Sequence, residues 1–555
     1  MTTNSNRKRT IFLTLSILVS LILSACATPT AEVIEKVVTQ IVKETVVVEG
    51  TPLIVEKAVT QIVEKVVTAT PVPQRELVVA LAADPPTLDP LADASSATVN
   101  SVKHIFSSLV ERDPDDMSIV PELVESWEIV DDTTYVFKLR KGLRFHNGEE
   151  LTTSDVKFSF DRMLEPEFIS MGKYVETLIE SIEVIDEYTV QFNLLTPYAP
   201  FLARMPTFHI VPEDYINAVG SEEFARHPIG SGPYKLVERV HGDHITLEAF
   251  EDYWGGAPRI KRVVLKPIPE SSTRVAALLA GEADIIQNVP PEDIPKLEQE
   301  EDVRVVTGDD YRFYFYGMNS ANPPFDDVRI RQAVSYAIDW DSICELFEGY
   351  ATRVPLPALP NDWGYAEYAD DLMQYTYDYN PDRARELLAE AGFPDGFETT
   401  IELGTGRYPK TEEVAQAASA QLAEVGIKAE VVVYEWGVFY TDIYNGVQVK
   451  GLYAGSMGNP IFDPDHLMGV HFDPDRRSYF FNTPELTEMI HRGQVTVDNA
   501  ERIEIYRGIM KRILEEAPYA WGYTLMQVHG IRADVDWKPR TDTRIFALEA
   551  SFIGK

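Results

Sequence analysis

Cysteine is nearly absent from this chain of 555 residues: Cys26 and Cys344 are the only two, too few for a disulfide framework. Basic residues are also scarce. Fifty Lys and Arg stand against 88 Asp and Glu, a formal net charge of −38. A field of that sign disfavours nucleic acid and anionic lipid surfaces as partners. It would suit a cationic ligand, but acidity spread over a surface more simply keeps a protein soluble. After residue 23 no apolar run reaches membrane-spanning length. The ten histidines show no catalytic pairing, and neither a nucleophile elbow nor a zinc-protease helix occurs. Carboxylate pairs such as Asp463 and Asp465 exist, yet an acidic chain supplies them by chance. An enzyme is therefore not expected, and neither is a cofactor or metal. What is present, 45% hydrophobic and 25% charged residues, is ordinary globular composition at a length that allows two or three domains.

The N-terminus reads as an address. Arg7, Lys8 and Arg9 precede an apolar stretch, residues 11–23, too short to span a membrane comfortably. Leu23-Ser24-Ala25-Cys26 resembles the bacterial lipobox. That resemblance implies a lipoprotein signal peptide over residues 1–25 and a lipidated Cys26; an ordinary signal peptide with an incidental cysteine is the alternative. Several acyl chains on one residue would anchor stably. The body would then sit on the extracytoplasmic face of the cell membrane, touching it through lipid alone. Residues 26–75 differ in character. Residues 35–42, EKVVTQIV, recur as EKAVTQIV at 56–63, three heptads later. The apolar spacing fits a short coiled coil. β-Branched residues, Gly50 and Pro52 argue instead for a flexible tether.

Residues 120–160 carry the most information. Tyr135, Phe137 and Leu139 alternate with Val136, Lys138 and Arg140, as in a half-buried strand. Lys141-Gly142 predicts a turn, 143–145 a short second strand, and Asn147-Gly148 another turn. Thr152 opens a helix with Asp155 as its capping-box partner. The string Pro121, Leu123, Ser126, Trp127, Asp132, Phe137, Leu139, Arg140, Phe145, Gly148, Thr152, Asp155, Val156 resembles the signature of family 5 solute-binding proteins. These are the peptide, nickel and oligosaccharide receptors of ABC importers. A second string, His227-Pro228-Ile229-Gly230-Ser231-Gly232-Pro233-Tyr234, also resembles a family element. Its glycines predict a tight turn with positive φ before a strand. A phosphate cradle needs a helix there instead. His241 and His244 flank a hairpin tip and lack a third metal ligand.

The resemblance implies an α/β, two-lobed periplasmic-binding-protein-like fold of type II, with mixed sheets flanked by helices and an extra subdomain in the first lobe. The expected division is residues 76–310 for the first lobe, its inserted subdomain at about 111–208, 311–519 for the second, and 520–555 returning to the first. Within these, helices are predicted at 99–110, at 271–280 and from 326 to about 347. A β-α-β unit with a right-handed crossover is predicted over 401–433.

The implied role is a receptor, a monomer, that grips a small solute between its lobes and delivers it to permease subunits with their ATPases. By the same resemblance the cleft is lined by Phe315 and Asn319 on the crossing strand and by Trp436. The segment Tyr453, Ser456, Met457, Asn459, Asp463 and the returning Trp521 and Tyr523 complete it. In peptide receptors an aspartate of that segment pairs with the peptide ammonium group. Here 453–462 holds no acid and Asp463 comes late. An oligopeptide is the expected cargo; an oligosaccharide or other neutral solute is the alternative. A sensory or chaperone-like receptor on the same fold is the other class.

Overall fold

The alternation at 135–139 becomes the strand Thr134–Leu139, with Tyr135, Phe137 and Leu139 buried. This computed structural model describes residues 32–48, 51–68 and 75–554, apart from 94, 166–176, 406, 446, 447 and 477–479. The expected signal peptide and Cys26 lie outside the described residues. The chain forms two units, residues 1–75 and 76–555.

In the first unit the chain pairs as an antiparallel hairpin, not as the coiled coil that the apolar spacing allows. Glu32–Val48 pairs with Thr51–Thr68, from Glu32 opposite Thr68 to Val48 opposite Thr51. The register sets Glu35 opposite Lys65, Lys36 opposite Glu64 and Lys43 opposite Glu56. β-Branched residues that weaken a helix favour paired extended chain.

In the second unit a seven-stranded sheet runs, in spatial order, Tyr234–Val240, His244–Ala249, Arg262–Pro267, Leu77–Leu81, Ile285–Ile286, Gln527–Arg532 and Val303–Gly308. A four-stranded antiparallel sheet, Val124–Asp131, Thr134–Leu139, Thr189–Leu194 and Ile179–Asp186, shares its apolar core. A six-stranded sheet carries the other lobe: Ala351–Arg353, Tyr519–Leu525, Arg312–Met318, Leu452–Gly458, Phe397–Thr405 and Ile427–Glu435. Its last two strands are parallel and joined by the helix Thr411–Glu424, the predicted β-α-β unit. The chain crosses between the large sheets at residues 309–311 and again at Met526. The two crossings are tied together. Gln527 Nε2 donates to Asp309 O, and Thr524 Oγ1 to Arg312 O at 2.7 Å.

Several expectations need correction. The strand Tyr519–Leu525 belongs to the six-stranded sheet, so the chain returns to the first lobe at Met526, not at Ala520. Residues 143–145 form no strand; Arg144 makes a single bridge to Glu150. The helix expected at 99–110 is Ser96–Val102, because Ser95 caps it earlier and Val110–Arg112 is drawn into a strand. The helix from 326 stops at Ala337; Ile338 is extended and Asp339 caps a second helix, Trp340–Cys344. Gly230 and Gly232 do not have positive φ. A Cβ at Gly230 would lie 2.1 Å from the Ile105 carbonyl oxygen, so close backbone approach is what requires glycine.

Candidate functional site

The six-stranded sheet divides the predicted site residues between its two faces. Phe313 pairs with Met457, Phe315 with Gly455 and Trp521, and Gly317 with Tyr453. Side chains at these positions share one face. There Phe315, Tyr453, Met457 and Trp521 are at most 5% exposed, inside one apolar core. Glycine makes room for the rings: a Cβ at Gly317 would sit 2.2 Å from Tyr453 Cζ. Phe315 stacks on Tyr519 with centroids 4.4 Å apart. This face is packed, and its aromatics do not stand open.

The other face is open at one end. Tyr314 stacks on Tyr523 at 5.0 Å and meets Tyr408 edge-on at 5.2 Å. Tyr408 in turn meets Trp436 edge-on at 5.5 Å, and Trp436 stacks on Tyr440 at 5.6 Å. Ser456 Oγ donates to Tyr408 Oη at 2.8 Å. Tyr314, Tyr408, Trp436, Ala454 and Tyr523 line a narrow crevice of about 20 Å³. Two guanidinium groups border it. Arg407 lies 4.7 Å from the Trp436 ring and 5.3 Å from that of Tyr408. Arg312 lies 5.4 Å from the Tyr311 ring and 5.9 Å from that of Tyr408. Burial pulls the Arg312 pKa down, but Tyr311 and Asp310 outweigh it and hold the group above its ordinary range. Arg407 Nε donates to Tyr408 Oη at 2.9 Å, and among the described residues neither guanidinium has a carboxylate partner within 4.0 Å. Aromatic walls with cations that lack a carboxylate suit an acidic, partly apolar solute.

The remaining predicted residues stand apart. Asn319 is buried and braces a turn, accepting from Ala321 N at 3.1 Å. Asn459 donates to Asp362 Oδ1 at 2.6 Å, and Asp362 Oδ2 accepts from Leu359 N. Asp463 is committed to Arg502 through contacts of 2.7 and 2.9 Å, and it caps the helix Pro464–Phe472. It is therefore not a free carboxylate for a ligand ammonium group. Asp473, Asp475 and His491 bring ligand atoms within 4.8 Å of one another, but Asp473 is already held by His491 and Arg476.

Sequence reasoning missed Arg312, Tyr314, Arg407 and Tyr408. One signal was available for the last two. They follow the strand Phe397–Thr405, whose carboxyl end opens the β-α-β unit, and ligands collect outside such ends.

A family model described as "Bacterial extracellular solute-binding proteins, family 5 Middle" matches residues 118–478. The chain belongs to this family. Heme-binding protein A of Haemophilus influenzae is 31% identical over 451 residues, covering 76% of this chain and 81% of that protein. Glutathione-binding protein GsiB of Pectobacterium atrosepticum is 29% identical over 472 residues, 82% of this chain and 89% of that one. Among solved structures, DppA of Helicobacter pylori in complex with the peptide STSA superposes with a TM-score of 0.72 at 27% identity, covering 87% of this chain and 98% of that one. The two-lobed, type II architecture of family 5 receptors is thus the architecture of this chain. No helix among the described residues is long and apolar enough to cross a membrane.

Proposed function

We propose that this family 5 protein is the lipid-anchored receptor of an ABC importer and binds a peptide in the cleft between its lobes. The observation that carries the reading is the pair Arg312 and Arg407, without a carboxylate partner among the described residues and set in aromatic walls. A guanidinium group matches a carboxylate in shape and charge, and a peptide ends in one. The ligands named for the relatives above, heme, glutathione and a peptide, all carry carboxylates. Tyr314, Tyr408 and Trp436 supply apolar surface for side chains. The same rings could stack on an oligosaccharide, but a neutral sugar offers the two guanidinium groups no anion.

Mass spectrometry of solute co-purifying with the intact protein tests the cargo. A peptide or other carboxylic acid supports the reading, and a neutral sugar overturns it. Arg407→Ala is expected to lower affinity for a carboxylate cargo at least about tenfold, in line with losing a charged hydrogen-bond partner. Loss of cellular uptake on gene deletion separates a transport receptor from a sensory one. Cys26→Ala is expected to release the protein from the membrane fraction.

A further inference from the structure

The two lobes have separate apolar cores, and between them runs a polar seam beside the crossing at 309–311, where Asn459 N donates to Tyr311 O at 3.0 Å. Tyr198, Phe201 and Met205 belong to the first core; Leu467, Leu486 and Ile490 belong to the second. Across the seam Tyr198 Oη donates to Asp465 Oδ2 at 2.8 Å, and Arg204 Nη2 lies 3.6 Å from the same oxygen. Arg112 donates to the Ile461 carbonyl and lies 4.9 Å from the Phe462 ring. Ala199 N donates to Gln494 O at 2.8 Å. Every group named is buried or half-buried.

We propose that this seam is a latch: Tyr198, Arg204 and Arg112 seize the loop 459–465 when the lobes close and release it when they part. Three observations favour a reversible contact over a fixed one. Each side keeps partners of its own. Asp465 retains Arg476 at 3.2 Å within its lobe. Arg112 retains the Met117 and Ala203 carbonyls, and Tyr198 retains Arg204 Nε at 2.6 Å. Parting the seam therefore strands no buried charge, the event that makes breaking a buried pair so costly. The contact is hydrogen-bonded, so opening exposes groups that water satisfies. Lastly, Phe462 stands at φ +52°, a left-handed conformation that a phenylalanine holds only when its surroundings impose it. Its carbonyl accepts from Trp363 N inside the lobe, and its ring meets Arg112 from outside. The latch favours the closed form independently of cargo, so its strength sets how many unliganded molecules are closed.

The Ala199 amide, which donates across the seam, is a direct reporter. Hydrogen exchange is measured on the full chain with the double variant Tyr198→Phe, Arg204→Met. Exchange at Ala199 is expected to accelerate at least about tenfold, with Val79 and Leu403 in the two large sheets unchanged. Should the double variant exchange rapidly everywhere, Tyr198→Phe alone decides, since it removes one oxygen and no volume. Acceleration of roughly threefold or more at Ala199 alone then supports the latch. Rates at Ala199 equal to the parent's in whichever variant folds would overturn it.

Discussion

Asp362 is 5% exposed behind Asn459. Burial drives its carboxyl pKa up from the ordinary aspartate range to about 7, against the hydrogen bonds from Leu359 and Asn459 and with help from nearby Asp463. A carboxyl whose folded value is raised holds its proton longer in the native state than in the unfolded one. Its contribution is present in full below pH about 4 and is lost as pH rises through about 7. Urea unfolding is expected to show this loss between about pH 4 and 7, up to roughly 2–4 kcal/mol, and Asp362→Asn should flatten it. An unchanged slope in the variant would assign the titration elsewhere. At Gly317 the expectation is steric. A Cβ there meets the buried Tyr453 ring at 2.2 Å, so Gly317→Ala should lower stability by about 1–3 kcal/mol in the same assay. Residue-level legibility followed physical range. Tyr135, Phe137 and Leu139 declared their burial through a two-residue period. Asp463 did not declare its partner, because Arg502 is distant in sequence and close only in the fold. Arg407 sits in a polar loop where periodicity has nothing to say.

Elements with local signals were legible and those decided by tertiary contacts were not. The helix Thr153–Met163 carries the capping box read from Thr152 and Asp155, with Asp155 Oδ2 accepting from Thr152 N at 2.9 Å. Thr152→Ala is expected to lower stability by about 1 kcal/mol, seen as a shifted urea midpoint with unchanged slope. The β-α-β unit was readable because helix and strand periods alternate around Gly426, whose φ is +92°. By contrast, the break at Ile338 and Asp339 has neither glycine nor proline to announce it. Asp339 N donates to Gln421 Oε1 on the helix Thr411–Glu424, a contact no local pattern contains. The heptad-like repeat of the N-terminal segment allowed a coiled coil that the chain does not form, for a related reason. A 4/3 spacing of valines also serves two-stranded pairing, because β-branched residues favour extended chain. Each strand of that hairpin, 17 and 18 residues, would extend about 55 Å.

At the scale of the whole molecule the large lobes were legible through family signatures, while the distribution of site residues over two sheet faces was not. The returning strand was expected to lead home, yet Trp521 and Tyr523 still belong to the second lobe and face opposite sides. Closure around cargo predicts a smaller radius of gyration in small-angle scattering when the co-purified solute is added back, and no change with Trp436→Ala at the same solute concentration. How the halves move follows from the paired crossings at 309–311 and Met526. A single strand would let one lobe swing and spin about a point. Two strands side by side, pinned by Gln527 to Asp309 on one lobe and by Thr524 to Arg312 on the other, behave as a door hung on a pair of pins. Swing about the line joining the pins is easy and torsion is resisted. The jaws therefore meet tooth to tooth on every stroke, and the same facing surface is offered outward each time they shut.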